Sequence, residues 1–188
     1  MLQCNRFSIV TKNYLSRFYD ILECMKEGMT NAQLNDSISH TNFIVQMIPH
    51  HEAAIQMSQN LLQYTTFIPL QNIALGIISE QTQSIENMRQ VLECCCEVTN
   101  SQQDLRLYQM RVDQIMRTMF REMQNAASTN DINANFMREM IPHHEGAIRM
   151  SENALSFNIC PQLVPILDAI ITSQKKGVRE MQQLLRRR

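Results

Sequence analysis

The chain has 188 residues, 44 % of them apolar, and a formal net charge of −1. That is enough apolar material for a real core, and the charge gives no general attraction to nucleic acid. With 4 Gly and 5 Pro against long runs of Gln, Leu, Met, Ile, Arg and Glu, the composition leaves little for turns or strands and predicts an all-α fold.

The first twelve residues lack the apolar segment of a secretion signal, and no stretch approaches the ~20 apolar residues of a membrane span. The expectation is a protein inside the cell, with no membrane span and its six cysteines as free thiols. From Ser8 to Met29 apolar residues recur at helical spacing, predicting a first helix with Cys24 packed in it and Cys4 left on a mobile end. A second helix is predicted from near Ser37, a capping residue type, to about Gln63. His40, near its start, has a surface or capping role by default.

Within that second helix lies Met47-Ile-Pro-His-His-Glu52. Ile44, Ile48, Ile55 and Leu62 form one stripe that His51 and Ser58 complete, so the helix is expected to continue through Pro49. Successive residues turn by about 100°, so His50 and His51 both face inward but address different neighbours, while Glu52 falls at the exposed edge. A third helix is predicted from about Pro69 to Cys95. Its inner face carries Gln81, Ser84, Met88, Val91 and Leu92, and Gln81 is expected to hydrogen-bond a histidine. Cys94, Cys95 and Cys96 at its end could hold a soft metal, but consecutive helical residues diverge too far for all three to meet one ion.

The pattern then repeats. Met47 to Glu52 returns as Met140 to Glu145, and a shift of 93 also aligns Phe43 with Phe136, Met57 with Met150, Asn60 with Asn153, Gln81 with Gln174 and Met88 with Met181. Tyr14 and Met29 align with Tyr108 and Met123 at a shift of 94. The chain is therefore expected to be one domain, residues 1–188, made of two tandem repeats at about 8–97 and 102–187. The second repeat should hold helices from Gln102 to Ala127, from near Asn130 to Phe157, and from Cys160-Pro161 to Arg187. The leading helix of each unit should pack outside the others or serve self-association. The basic end, Arg186 and Arg187 included, suits a helix C-terminus.

Imidazole nitrogen with thioether sulfur is a borderline-to-soft ligand set, suited to copper and poorly suited to magnesium or calcium. Met47 precedes His50 and His51 by one helical turn, and Met57 follows His50 by two. Against this stands the ordinary role of such residues, hydrogen-bonded core histidine and gap-filling methionine. Neither copy contains the Glu-x-x-His of di-iron bundles, and Glu139, four residues before His143, has Gln46 as its counterpart. No Ser-His-Asp signature or phosphate-binding glycine loop is present, so an enzyme is the weaker reading.

Phe-x-x-x-Met-Ile-Pro-His-His-Glu-x-Ala-Ile-x-Met-Ser, at Phe43 to Ser58 and Phe136 to Ser151, resembles the signature of the domain-of-unknown-function family 305. Gln81-x-x-x-Ile85-x-x-Met88 and Gln174-x-x-x-Val178-x-x-Met181 resemble its second block, with Ser84 and Gly177 where an acidic residue is expected. The resemblance implies a ferritin-like four-helix bundle of two repeated hairpins plus two leading helices. It also implies metal ligands, with a copper ion as cofactor, at Met47, His50, His51, Met57 and Met88 and at Met140, His143, His144, Met150 and Met181. The expected function is binding, buffering or delivery of a soft transition metal. The alternatives are a structural, coat-like interaction bundle or a metal-dependent oxidoreductase.

Overall fold

A computed structural model describes residues 7–94 and 98–187, with the side chains of all but 39–41 and 94. Six α-helices follow in order: α1 Ile9–Thr30, α2 Ile44–Leu62, α3 Ile68–Cys94, α4 Gln102–Gln124, α5 Ile132–Leu155 and α6 Val164–Leu185. No strand occurs among the described residues, as the composition requires. None of the helices is long and apolar enough to cross a membrane, among the described residues.

Short polar side chains set the helix starts by taking up amides that no helical carbonyl can reach. Ser8 Oγ accepts from the Thr11 amide at 3.0 Å, Ser101 Oγ from Asp104 at 3.1 Å, and Asp131 Oδ1 from Ala134 at 3.2 Å. The cap of α5 is thus Asp131, not Asn130, whose Oδ1 instead accepts the Ser8 amide at 2.9 Å and ties α1 to the foot of α5. Upstream of α2 the chain takes one π-helical turn, Ile38–Phe43, where the Asn42 amide reaches the Ser37 carbonyl five residues back. In the second unit Pro161 does not open α6. A turn intervenes, and the proline in the first turn is Pro165.

Both motif helices run on through their prolines, Pro49 in α2 and Pro142 in α5. Helices α2 and α3 pair, as do α5 and α6, and the two hairpins meet through α2 against α5 and α3 against α6. These four close a bundle. The leading helices lie outside it, α1 along α2 and α4 along α5. Gly28 lets α1 approach the rigid ring of Pro49, since a Cβ there would lie 2.8 Å from the proline Cβ. A single apolar cluster rich in methionine fills the space among all six helices.

Equivalent polar bonds recur in the two units. Asn60 donates to the Tyr14 carbonyl at 3.1 Å, and Asn153 to the Tyr108 carbonyl at 3.3 Å. Asn100, between the units, holds both: its Oδ1 accepts the Ile38 amide at 2.9 Å and its Nδ2 donates to the Asn158 carbonyl at 2.8 Å.

The cysteines depart from expectation. Cys24 is a free thiol but exposed, because helical phase turns it away from the face that buries Leu22 and Met25. Cys160 is buried and disulfide-bonded, not a free thiol. The expectations for Cys4, Cys94, Cys95 and Cys96 and for the His40 side chain lie outside the described residues.

Candidate metal centre

Proline in the interior of α2 and of α5 comes one residue before the histidine pair, and both pairs point into the seam between the hairpins. His50, His51, His143 and His144 are each at most 2 % exposed. The rings of His50 and His143 stack across the seam with centroids 3.7 Å apart. Each flanking ring, His51 beside His50 and His144 beside His143, lies about one side chain further out, at 5.9 and 6.0 Å.

Reciprocal hydrogen bonds fix the inner pair. His50 Nε2 donates to the His143 carbonyl at 3.2 Å, and His143 Nε2 donates to the His50 carbonyl at 3.0 Å. A carbonyl only accepts, so in both rings the proton sits on Nε2 and Nδ1 keeps its lone pair. The outer pair looks towards the third helices, as the 100° divergence anticipates. His51 Nε2 shares a hydrogen bond of 3.2 Å with Ser84 Oγ on α3. Its counterpart His144 meets Gly177 on α6, where there is no hydroxyl.

Burial holds all four imidazoles neutral. The pKa of His51 is brought down to about 3 and that of His143 to about 4, by loss of solvation above all, and those of His50 and His144 lie well below the usual histidine value for the same reason. Proximity of the other rings adds to the effect. The Nδ1 atoms of all four are buried and have no hydrogen-bond partner. Neutral imidazoles in one buried layer, with the Nδ1 lone pairs of His50 and His143 unused, are a donor set for a cation or for hydrogen-bond donors that the chain does not supply.

The expected glutamine contacts do not form. Gln81 is buried with neither amide atom partnered, and Gln174 Oε1 is likewise unpartnered; on α3 it is Ser84, one turn further along, that meets His51. Glu52 and Glu145 lie at the outer edge, 48 % and 33 % exposed, paired with Arg89 at 3.7 Å and Arg149 at 3.1 Å. Met47, Met57, Met88, Met140, Met150 and Met181 are all buried in the shared core. Among the described residues no group of three or more His, Cys, Asp or Glu stands ready to hold a metal ion.

Two cavities lie between α3 and α6 and share Glu80 and Ser173 in their walls. One, of about 600 Å³, exposes His51, Gln81, Ser84 and Gln174; the other, of about 390 Å³, exposes His144 and Gly177. The stacked inner pair borders neither.

A buried acid was not anticipated as part of the core. Glu139 is 1 % exposed and accepts a hydrogen bond of 2.5 Å from the Tyr14 hydroxyl, which reaches it from the other unit. Burial pushes its pKa up to about 8. In the repeat-related place stand Gln46 and Tyr108, whose Oε1 and hydroxyl are both buried and unpartnered. The repetition of Tyr14 as Tyr108 was the available signal, but helical phase alone does not reveal a contact between units.

The model of a family described as a domain of unknown function (DUF305) matches residues 24–92 and residues 40–185 of the chain. A crystal structure of a DUF305 fragment from Deinococcus radiodurans superposes with a TM-score of 0.55 at 21 % identity, covering 78 % of this chain and 94 % of that one. At that identity the likeness speaks for the fold alone. No protein of curated function matches the chain. The family match takes in both copies of the histidine motif and both third helices, and the chain belongs to the DUF305 family.

Proposed function

We propose that the protein binds a soft transition metal, copper above all, and buffers or delivers it. The observation that carries this reading is the layer of four buried, neutral histidines whose Nδ1 atoms have no partner. A buried polar atom without a partner costs about 1–3 kcal/mol, and a metal ion would use the Nδ1 lone pair that His50 and His143 keep. Imidazole and thioether suit Cu(I) by softness, and neutral histidine needs no proton displaced at neutral pH. Methionine also remains a ligand in an oxidising compartment, where thiols are consumed as disulfides. The disulfide at Cys160 favours such a compartment and weighs against the intracellular location expected from the first residues.

The second reading is a structural bundle in which the histidines clasp the two hairpins, and the reciprocal bonds of His50 and His143 to each other's carbonyls favour it. Anaerobic Cu(I) titration against a chromophoric competitor separates the two. The metal reading expects stoichiometric competition by the wild-type chain that is lost when His50, His51, His143 and His144 are replaced by Gln, with folding followed by circular dichroism. A wild-type chain that leaves the competitor loaded, or a folded fourfold variant that competes as well as wild type, refutes it and leaves the clasp.

A further inference from the structure

The inner histidines use one ring nitrogen to hold the seam and leave the other unused. His50 Nε2 donates to the His143 carbonyl at 3.2 Å and His143 Nε2 to the His50 carbonyl at 3.0 Å, so α5 holds the ring of α2 and α2 holds the ring of α5. Both residues are wholly buried, their rings stack with centroids 3.7 Å apart, and Nδ1 of each has no partner. The outer pair lacks this arrangement. His51 Nε2 meets the Ser84 hydroxyl, which both donates and accepts and so leaves the tautomer open. His144 lies against Gly177, which offers no polar side chain.

A histidine that ligates a metal through one nitrogen is ordinarily held by a hydrogen bond from its other N–H to a carbonyl or carboxylate. That bond sets the tautomer, fixes the ring and makes the free lone pair more basic. The two bonds across the seam are of this kind. Ligation at Nδ1 in turn draws electron density from the ring, makes Nε2–H a stronger donor and shortens its hold on the carbonyl.

We propose that the clasp and the metal site are one device. His50 and His143 take a soft cation through Nδ1 while each keeps its Nε2 proton on the other's carbonyl, so loading tightens the seam between the repeats. This rests on the metal-binding reading above. It makes the ligand of each repeat depend on the backbone of the other, so neither repeat positions its inner histidine alone. Neither ring lines the cavities between α3 and α6, so the ion enters by a transient loosening of the seam and is enclosed when the clasp re-forms.

The test uses the full chain with ¹⁵N-labelled histidine and silver(I) nitrate in chloride-free buffer as a diamagnetic soft cation. Ring nitrogens are assigned with single His→Gln variants and followed by long-range ¹H–¹⁵N correlation, in which Nδ1 and Nε2 give different patterns. Silver nuclei have spin one-half, so a ligating nitrogen shows a one-bond splitting. Nδ1 of both His50 and His143 should lose the shift of an unprotonated nitrogen and gain that splitting. Both Nε2 protons should remain and move downfield. Splitting at Nε2, loss of the Nε2 protons, Nε2 protons that stay put or move upfield, or a response at only one inner ring or at the outer rings alone each overturns the joined device while the metal reading stands. Silence of every ring nitrogen overturns both.

Discussion

Acidification of the metal-free protein should unfold it steeply below pH 6.5, and the four buried histidines set the size of the effect. Their unfolded value is 6.5, whereas the folded values are about 3 for His51, about 4 for His143 and well below 6.5 for the other two. A lowered folded pKa contributes stability that is present above 6.5 and lost as pH falls towards the folded value. At pH 5 the unfolded chain has taken up nearly all of these protons while His51 and His143 stay neutral in the folded chain; those two cost about 2 kcal/mol each, or about 4 kcal/mol together, and His50 and His144 act in the same direction. Glu139 acts in the opposite sense. It holds a proton in the folded state up to about pH 8, and it returns about 2 kcal/mol over the same interval. His51, His143 and Glu139 alone give a net loss of about 1–2 kcal/mol, and His50 and His144 enlarge it, against a total stability of about 5–15 kcal/mol for an ordinary domain. Urea denaturation with a chelator present, followed by far-ultraviolet circular dichroism between pH 7.5 and 5, measures it. Unfolding should take up more than one proton on the acid limb. A stability that changes by less than about 1 kcal/mol from pH 7 to pH 5 would show that the rings are solvated or charged in the folded state and would refute the argument.

Glu139→Gln should abolish the fall in stability on raising pH from about 6.5 to about 8 and steepen the loss on acidification below 6.5, while Gln46→Glu should add a second limb like that of Glu139; denaturant midpoints across this range read both. Tyr14→Phe leaves the buried Glu139 carboxyl without its donor and should cost about 1–3 kcal/mol, whereas Tyr108→Phe removes an unpartnered hydroxyl and should be neutral or stabilising, by thermal and chemical denaturation. Gly177→Ala drives a methyl against the His144 ring and should cost about 1–3 kcal/mol, while Gly76→Ala, in α3 with nothing within 4 Å of the new Cβ, should stabilise by up to about 1 kcal/mol. Equal effects at the two glycines, measured by the same denaturation, would contradict the packing described at Gly177.

Much of the architecture was legible because it is written twice and at helical period. Apolar spacing located all six helices, and the stripe through Ile44, His51 and Ile55 anticipated a helix that continues past Pro49. The same phase argument turned both histidines inward and Glu52 outward. What it could not supply was the choice between adjacent candidates for one contact. Gln81 and Ser84 share a face of α3, and only the relative slide of α2 and α3 decides that the serine meets His51. Asn130 and Asp131 are both capping types, and Asn130 is drawn away by the amide of Ser8, 122 residues distant in sequence. The Tyr14 to Glu139 bond and the His50 to His143 stack cross between units, so no periodicity within one unit encodes them.

Tandem duplication makes the breaks in symmetry informative. In a true twofold dimer each substitution appears on both sides of the seam, so a glutamate at the Glu139 place would bury two acids around one core, and a glycine at the Gly177 place would uncap both outer histidines. A fused pair escapes this constraint. Here the elements that hold the halves together are kept in both copies: the stacked His50 and His143, and the asparagine bonds to the Tyr14 and Tyr108 carbonyls. The elements that differ, Glu139 against Gln46 and Gly177 against Ser84, change which buried groups carry a proton and which ring nitrogen is uncovered. Divergence has thus been tolerated at the buried acid and beside one outer histidine and not at the contacts that hold the seam.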